Sequence, residues 1–528
     1  MTVTILRGLL KIDDIKNHQK ALEKTHIRFK GRLRWNLLIN VIVLVIMAIP
    51  FFTPLLVTFI FNAYFLFLWL VFILTATVKH FRIHRSMRKY KKISNMPNPK
   101  KIPPNYGNVE NGQNEIKPVI IDSKFKYIMA TFAYKEPLGL LVKNLNNISS
   151  IYGSEDTIMV VSLEERTPDL EYKISTLTNL FESKFKEIVI TVHPFGVEGE
   201  IPGKCSNSNY GMRQLFNHLK ETQLDFKPED YVITNFDVDT LFDKNFLNIL
   251  KHHVNKTKYV DRVVWQPLLY YNWDFNRLSF FTRIVGIMRS TMMAGALTTF
   301  NINIMSVYSA SLKLYIDGNF VHPFYQMDDI ICYIRWMTVS KNYIKIKSIY
   351  SATISGPTSG QNMFIELQEL IRQSQRWAIG SAEVFHYFVV KITRINPIIS
   401  IVWAFNYLNY YACFLCAQGF LSITTLIRLL VYTNDDEIIK DWFYILILVA
   451  YGLNLWMILL NKLAVYTFLR DLNVKEHIDS IRELIHWILS VPTQIFYSFI
   501  VFYGFFVLII AGKNVCKHGA SRKDALKF

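Results

Sequence analysis

Residues 231–239 read Tyr-Val-Ile-Thr-Asn-Phe-Asp-Val-Asp. Tyr231–Asn235 has the composition of a buried strand, and it runs into two carboxylates, Asp237 and Asp239. Working outward, one pattern repeats. Tyr127–Thr131 reads as a strand, and Glu136–Ser149 as a helix with Leu138, Leu141, Leu145 and Ile148 on one face. Thr157–Leu163 is a strand rich in β-branched residues. Thr167 and Pro168 suit a helix cap and first turn, followed by Ile174, Leu177 and Phe181. Glu187–His193 is a strand, and a Gly-rich loop to Lys204 leads into a helix over Asn207–Leu219. This alternation predicts a parallel sheet with helices on both faces. Ligands of such open sheets sit at the carboxyl ends of the strands.

Asp237 and Asp239 stand at such an end. Two carboxylates on a loop after a buried strand can converge on a hard divalent cation, Mg2+ or Mn2+, which keeps substrate phosphates as further ligands. The plainer alternative is a solvated turn. Downstream lie Met327-Asp328-Asp329, on a loop after Gly318 and Pro323, and Gln373-Ser374-Gln375-Arg376-Trp377. An apolar stretch, Ile330–Trp336, follows Asp329 at once, so the two acids also suit the start of a helix. Glu164 and Glu165, before Arg166, also suit a salt-bridged helix entry.

The rest of the chain is of another kind. Of 528 residues, 51% are apolar and 15% aromatic, which excludes a disordered protein. Five Cys in this length exclude a small disulfide scaffold. Trp35–Val78 carries no charge, is long enough for two membrane spans of ~20 residues, and has Pro50 and Pro54 near its middle. Ile395–Ile427, Trp442–Asn461 and Leu484–Gly512 are also uncharged and long enough to cross. Eight Lys/Arg lie between Lys11 and Arg34, and nine with no acid between Lys79 and Lys101. Both flanks of the first block therefore belong in the cytoplasm, which makes it a helical hairpin. The net charge of +18 is then mostly lipid-facing, with membrane lipids as partner and no nucleic acid. Three C-terminal spans would leave Lys513, Lys517, Arg522, Lys523 and Lys527 outside, so a fourth crossing or a re-entrant piece is expected between Ile395 and Glu483.

The expected organisation is a cytoplasmic segment (1–34), a transmembrane hairpin (35–78), a basic, Pro/Asn-rich linker (79–118), a soluble domain on the cytoplasmic side (119–390), three or four transmembrane helices (391–512) and a basic tail (513–528). The first thirty residues lack the apolar core of a signal peptide. Ile284–Leu312, with the single charge Arg289, reads as an amphipathic element lying on the membrane. Cys413 and Cys416 fall inside a span, where packing is the better reading than zinc or redox chemistry.

Taken in order, Tyr134-Lys135-Glu136, Glu164-Glu165, Gly203-Lys204 with Asn209, Asp237-Val238-Asp239, Met327-Asp328-Asp329 and Gln373 to Trp377 resemble the membrane-embedded family 2 glycosyltransferases, the cellulose, chitin and hyaluronan synthase group. The resemblance covers roughly residues 125–390. It implies an α/β GT-A domain, a Rossmann-like mixed sheet, inserted in a transmembrane helical bundle. It also implies that Thr131, Tyr134, Glu136 and Glu164 surround the nucleoside, and that Asp237 and Asp239 hold nucleotide and metal. By the same resemblance Lys204 and Asn209 belong to the substrate site, Asp329 is the general base, and Gln373, Arg376 and Trp377 line the acceptor and pyrophosphate end. The family's usual Thr-Glu-Asp is Met-Asp-Asp here, and Phe300–Leu312 lacks the usual Gly- and Arg-rich pattern.

The expected function is inverting transfer from a nucleotide-sugar donor, UDP-linked, to a growing β-linked polysaccharide extruded through the spans. One alternative is a single transfer to a lipid acceptor; another is a transporter with a degenerate cytoplasmic domain. Trp403, Tyr407, Tyr410 and Phe414 fall at helical spacing. They suit either a glycan-lining stripe or ordinary aromatic packing.

Overall fold

The structure, a computed structural model, describes residues 2–10, 36–94, 120–197, 200–273, 275–323, 328–356, 360, 362–374, 377, 396–432, 435–472, 474 and 480–511. Its strands are β1 (Thr2–Leu6), β2 (Lys126–Phe132), β3 (Ile158–Glu164), β4 (Glu187–His193), β5 (Tyr231–Phe236), β6 (Thr240–Phe242), β7 (Val263–Tyr270), β8 (Tyr308–Ser311) and β9 (Lys345–Ser355). They form one mixed sheet in the order β1-β4-β3-β2-β5-β8-β7-β9-β6. The pairings from β1 to β5 are parallel. β8 lies antiparallel between β5 and β7, and β9 runs parallel to β7 and antiparallel to β6. The parallel half is the one the alternation predicts. The other half escapes that reading because its strands break the pattern. β8 has four residues, and β7 carries Pro267 at a register shift.

From β2 the chain steps outward through β3 and β4, then returns to the other side of β2 as β5. The loops leaving β2 and β5 therefore diverge, which opens a crevice at their carboxyl ends. Alternation along the strands feeds two cores. Ile128, Ala130 and Phe132 pack with Met212, Leu215 and Leu219 of the helix Lys204–Thr222. Tyr127 and Met129 pack with Leu141, Leu145 and Ile148 of Leu138–Ser149 and with Leu177 and Phe181 of Leu170–Phe181.

β1 is an addition that sequence reading did not anticipate. It pairs with β4, and Arg7 beyond it forms an ion pair with Glu171 at 2.7 Å. It precedes the first apolar helix, yet it docks on the sheet that follows the second. β1, before the hairpin, and β4, after it, therefore meet in one sheet.

The hairpin consists of Asn36–Phe52 and Leu55–Ser94. The second helix runs past Val78 to Ser94, so residues 79–94, expected in the linker, are helical. Ile83, Met87 and Tyr90 recur at helical spacing and are buried in the second core, while the basic residues take the other face. Among the described residues four helices are long and apolar enough to cross a membrane: Leu55–Ile93, Pro397–Val431, Glu437–Thr467 and Ser480–Val507; Leu37–Phe52 is shorter. Arg428 ties their far ends together, donating to the backbone oxygens of Pro50 and Thr53 and pairing with Asp435 at 2.8 Å. Asn454, fully buried, accepts from Trp69 Nε1 at 2.9 Å and donates to Ser490 at 3.0 Å.

At the sheet end Asp471 pairs with Lys91 at 3.0 Å, and Lys462 pairs with Glu483. The helix Ser480–Ala511 therefore starts near the sheet and runs away from it. Among the described residues between 396 and 474 the expected extra crossing is not found. The basic tail lies outside the described residues.

The expectation for Ile284–Leu312 changes. Helix Phe280–Met292 and the π-helical turn Met293–Leu297 are wedged between sheet and bundle, with nearly every side chain buried. At Gly295 an added Cβ would come within 2.0 Å of the Phe72 carbonyl oxygen, and Thr75 donates to the Gly295 carbonyl at 2.9 Å. The element is roofed by the long hairpin helix and does not lay an open apolar face on lipid.

Candidate active site

Every acid singled out after a strand sits on the carboxyl edge of the sheet. The Asp237–Asp239 turn leaves β5, closed by Thr240 N–H donating to the Asp237 carbonyl at 3.0 Å. It is pinned to the end of β9, where Gly356 N–H donates to the Asp239 carbonyl at 2.9 Å. Gly356 is needed for space: a Cβ there would come within 2.3 Å of Asp239 Oδ2. Asp239 is buried and Asp237 partly exposed.

Lys204, first residue of its helix, reaches across. Its Nζ lies 2.6 Å from Asp237 Oδ1 and 3.0 Å from Asp328 Oδ2. Burial works to discharge this ammonium, but the Asp237 and Asp328 carboxylates outweigh it and hold its pKa well above the ordinary value. Asp328 is nearly sealed, at 4% exposure, and also accepts from Asn235 Nδ2 of β5 at 3.2 Å. Asp328 and Asp329 form the first turn of the helix Asp328–Ser340, as the capping alternative holds. Their roles separate, because Asp328 is committed to Lys204 and Asn235. Asp329 is partly accessible and accepts from Ile330 N–H at 2.8 Å. Burial, then the adjacent Asp328 charge, raises its pKa to about 7, against the opposing pull of Lys204. A carboxylate so poised suits a general base near neutral pH.

Tyr134, Glu136 and Glu164 line the ends of β2 and β3. The Arg166 guanidinium lies between the rings of Tyr134 (4.9 Å) and Phe195 (4.3 Å) and pairs with Glu164 at 2.8 Å. Glu164 is thus the salt-bridged acid of the plainer reading. Beside it is a cavity of about 100 Å³ that includes Glu165, Phe195 and Glu200. Glu136 Oε2 accepts from Tyr134 N–H at 2.6 Å and so shapes the loop. Thr131 and Asn209 are at 0% exposure. Thr131 lies inside β2, and Asn209 accepts from Arg213 Nε within its helix at 3.1 Å.

On the bundle side, Trp377 is partly exposed and stacks on Arg289, 4.5 Å from guanidinium to ring. Gln373 is partly exposed at the end of the helical stretch 363–374, and Arg376 lies outside the described residues. Arg289, Tyr271, Asn235 and Gly356 were missed as site residues. One signal was present: Arg289 is the single charge in an apolar run, and such a charge needs a use.

Among the described residues no group of three His, Cys, Asp or Glu could hold a metal by itself. The donor set at Asp237 and Asp239 suits a cation shared with phosphates, and Gly356 keeps the space that the Asp239 side chain fills. A larger cavity of about 530 Å³, lined partly by Lys143, Trp273, Arg277 and Asp471, lies behind β6 and contains none of these acids.

No family model matches the chain, and no curated protein matches it. Among solved structures, a mannosyltransferase from Pyrobaculum calidifontis in complex with GDP-Man and Mn2+ is similar over 78% of this chain and 100% of its own, with 12% identity and a TM-score of 0.40. A glucosyl-3-phosphoglycerate synthase from Mycobacterium tuberculosis, in complex with Mn2+, uridine-diphosphate-glucose and glycerol 3-phosphate, covers 51% of this chain and 80% of its own at 12% identity and a TM-score of 0.28. These neighbours are glycosyltransferases, at scores too low to carry an argument about function.

Proposed function

We propose that the chain is a membrane-bound inverting glycosyltransferase. Its donor is a nucleotide sugar, UDP-linked in this reading, and its metal is Mg2+ or Mn2+, held by Asp237 and Asp239 with the donor diphosphate. Such a cation, when bound, neutralises charge that develops on the leaving diphosphate. Lys204 adds a second positive charge at the same place. Asp329 takes the proton of the acceptor hydroxyl as its oxygen bonds to the anomeric carbon and the bond to the diphosphate breaks. Arg376, Gln373 and Trp377 line the acceptor and pyrophosphate end, with Trp377 offering a ring face to a sugar. The observation that carries this reading is the meeting of Asp237, Lys204, Asp328 and Asp329 in one crevice at the switch point of the sheet.

The basic flanks of the hairpin and the docking of β1 support a catalytic domain on the cytoplasmic side. For the acceptor, the first reading is a growing β-linked polysaccharide extruded through the spans. One observation favours the second, a single transfer to a lipid acceptor. Trp403, Tyr407, Tyr410 and Phe414 are buried against one another and their neighbours, with Tyr407 and Tyr411 stacked at 4.4 Å. Product size on a gel separates the two. Purified full-length protein offered a panel of UDP-sugars should release UDP from at least one. Release from none, by protein that still binds UDP, overturns the proposed activity.

A further inference from the structure

We propose that Arg289 holds a phosphate group at the bundle-side wall of this site, one carried by the lipid-linked acceptor or by the donor; this rests on the function proposed above. Arg289 Cζ lies 4.3 Å from the Tyr271 ring centre and 4.5 Å from that of Trp377. Two aromatic faces fix the plane of the guanidinium but leave its in-plane N–H donors at the edge. One of them reaches the Tyr271 hydroxyl at 3.2 Å. Among the described residues no carboxylate forms an ion pair with Arg289. The side chain is partly accessible although its helix is otherwise almost wholly buried. A guanidinium with no counter-ion among the described residues, at the edge of an apolar bundle, is costly to keep, and its planar fork matches phosphate.

Its place relates it to the chemistry. Tyr271 and Tyr411 each lie within electrostatic reach of both Arg289 and Asp329, so the cation and the base share one wall. Tyr410 and Tyr497 of the bundle lie within the same reach of Arg289. The wall is also preorganised. Glu366, at 2% exposure, accepts from Ser279 N–H (3.0 Å), Ser279 Oγ (2.6 Å) and Thr282 Oγ1 (2.8 Å). It thereby locks the start of the Arg289 helix to the stretch that leads to Trp377. A phosphate entering from the bundle meets Arg289 while the attached sugar faces Asp329.

The test uses full-length protein in lipid nanodiscs, with UDP and farnesyl phosphate as probes and farnesol as the phosphate-free control. Loss of one charge-assisted contact in Arg289→Gln should weaken a phosphate ligand roughly 10- to 100-fold. Arg289→Lys, which keeps the charge and loses the fork, should fall between. A loss confined to farnesyl phosphate puts the phosphate on the acceptor, and a loss confined to UDP puts it on the donor. Unchanged affinity for both probes overturns the proposal, as does equal binding of farnesol and farnesyl phosphate together with unchanged UDP binding. If Arg289→Gln does not fold, Tyr271→Phe decides, since it keeps the ring and frees the guanidinium. A change of threefold or more in either affinity supports the assignment, and none overturns it. Failure of the proposed activity reads differently: wild-type protein would then bind a probe yet release no UDP from any UDP-sugar.

Discussion

Trp377 and Trp403 are the same residue type, and both invite a sugar-facing reading. The structure separates them. Trp377 is partly exposed, with one face on Arg289. Trp403 is buried, its indole N–H donates to the carbonyls of Asn301 and Ile302, and its ring leans on Tyr407 at 5.6 Å. The crevice is built of charges held by specific partners from distant segments. The stripe is built of rings that satisfy one another. An aromatic residue is available to a ligand only where its neighbours leave a face open, and spacing along a helix does not reveal that.

The largest effect that would sharpen this contrast is at the metal-side acids. Asp239→Ala should lower UDP release by about 10³-fold or more while the protein stays folded, and EDTA should do the same until Mg2+ or Mn2+ is restored. Full turnover in chelator would remove the metal from the reading. Next, Asp329→Asn should cost on the order of 10²–10⁴ in rate with UDP-sugar affinity kept, because the amide cannot accept a proton. In wild type only the deprotonated form is a base, so turnover should rise with pH through about 7 and then level off. A flat profile across that range breaks the assignment.

Smaller effects test the edges of the comparison. Trp377→Ala should reduce transfer roughly tenfold more than it reduces UDP binding, with Phe restoring part of the loss because it keeps a ring face. Asp328→Asn removes a neighbouring negative charge that helps to raise Asp329. The acid limb of the pH profile should therefore move to lower pH. A limb that stays in place would mean that burial alone sets it. Phe414→Ala belongs to the packed region. It should destabilise the folded protein by about 3–5 kcal/mol, read by thermal or denaturant unfolding, and leave the apparent metal affinity of the enzyme unchanged. A change in product length with no loss of stability would reopen the channel reading.

The periodic features are legible in the amino-acid sequence alone. β4 spans the predicted Glu187–His193, β2 and β5 extend their predicted ranges by a residue or two, and β3 lies one residue further along the chain than predicted. The uncharged runs form long apolar helices, and Asp237, Asp239 and Asp329 lie on strand-end loops or a helix start, where the pattern puts them. These follow from local rules: a strand alternates every two residues, a helix repeats every 3.6, and a bilayer demands about 20 apolar residues. Tertiary structure alone decided the partners. It showed that β1 closes the sheet edge, that Asn235 meets Asp328 93 residues away, and that Thr131 and Asn209 are sealed inside. It also showed that residues 79–94 continue a helix and that Arg289 stands beside Trp377. Such contacts join segments far apart in the chain, and the burial that decides whether a polar or aromatic side chain can meet a ligand belongs to the neighbours that the fold assembles.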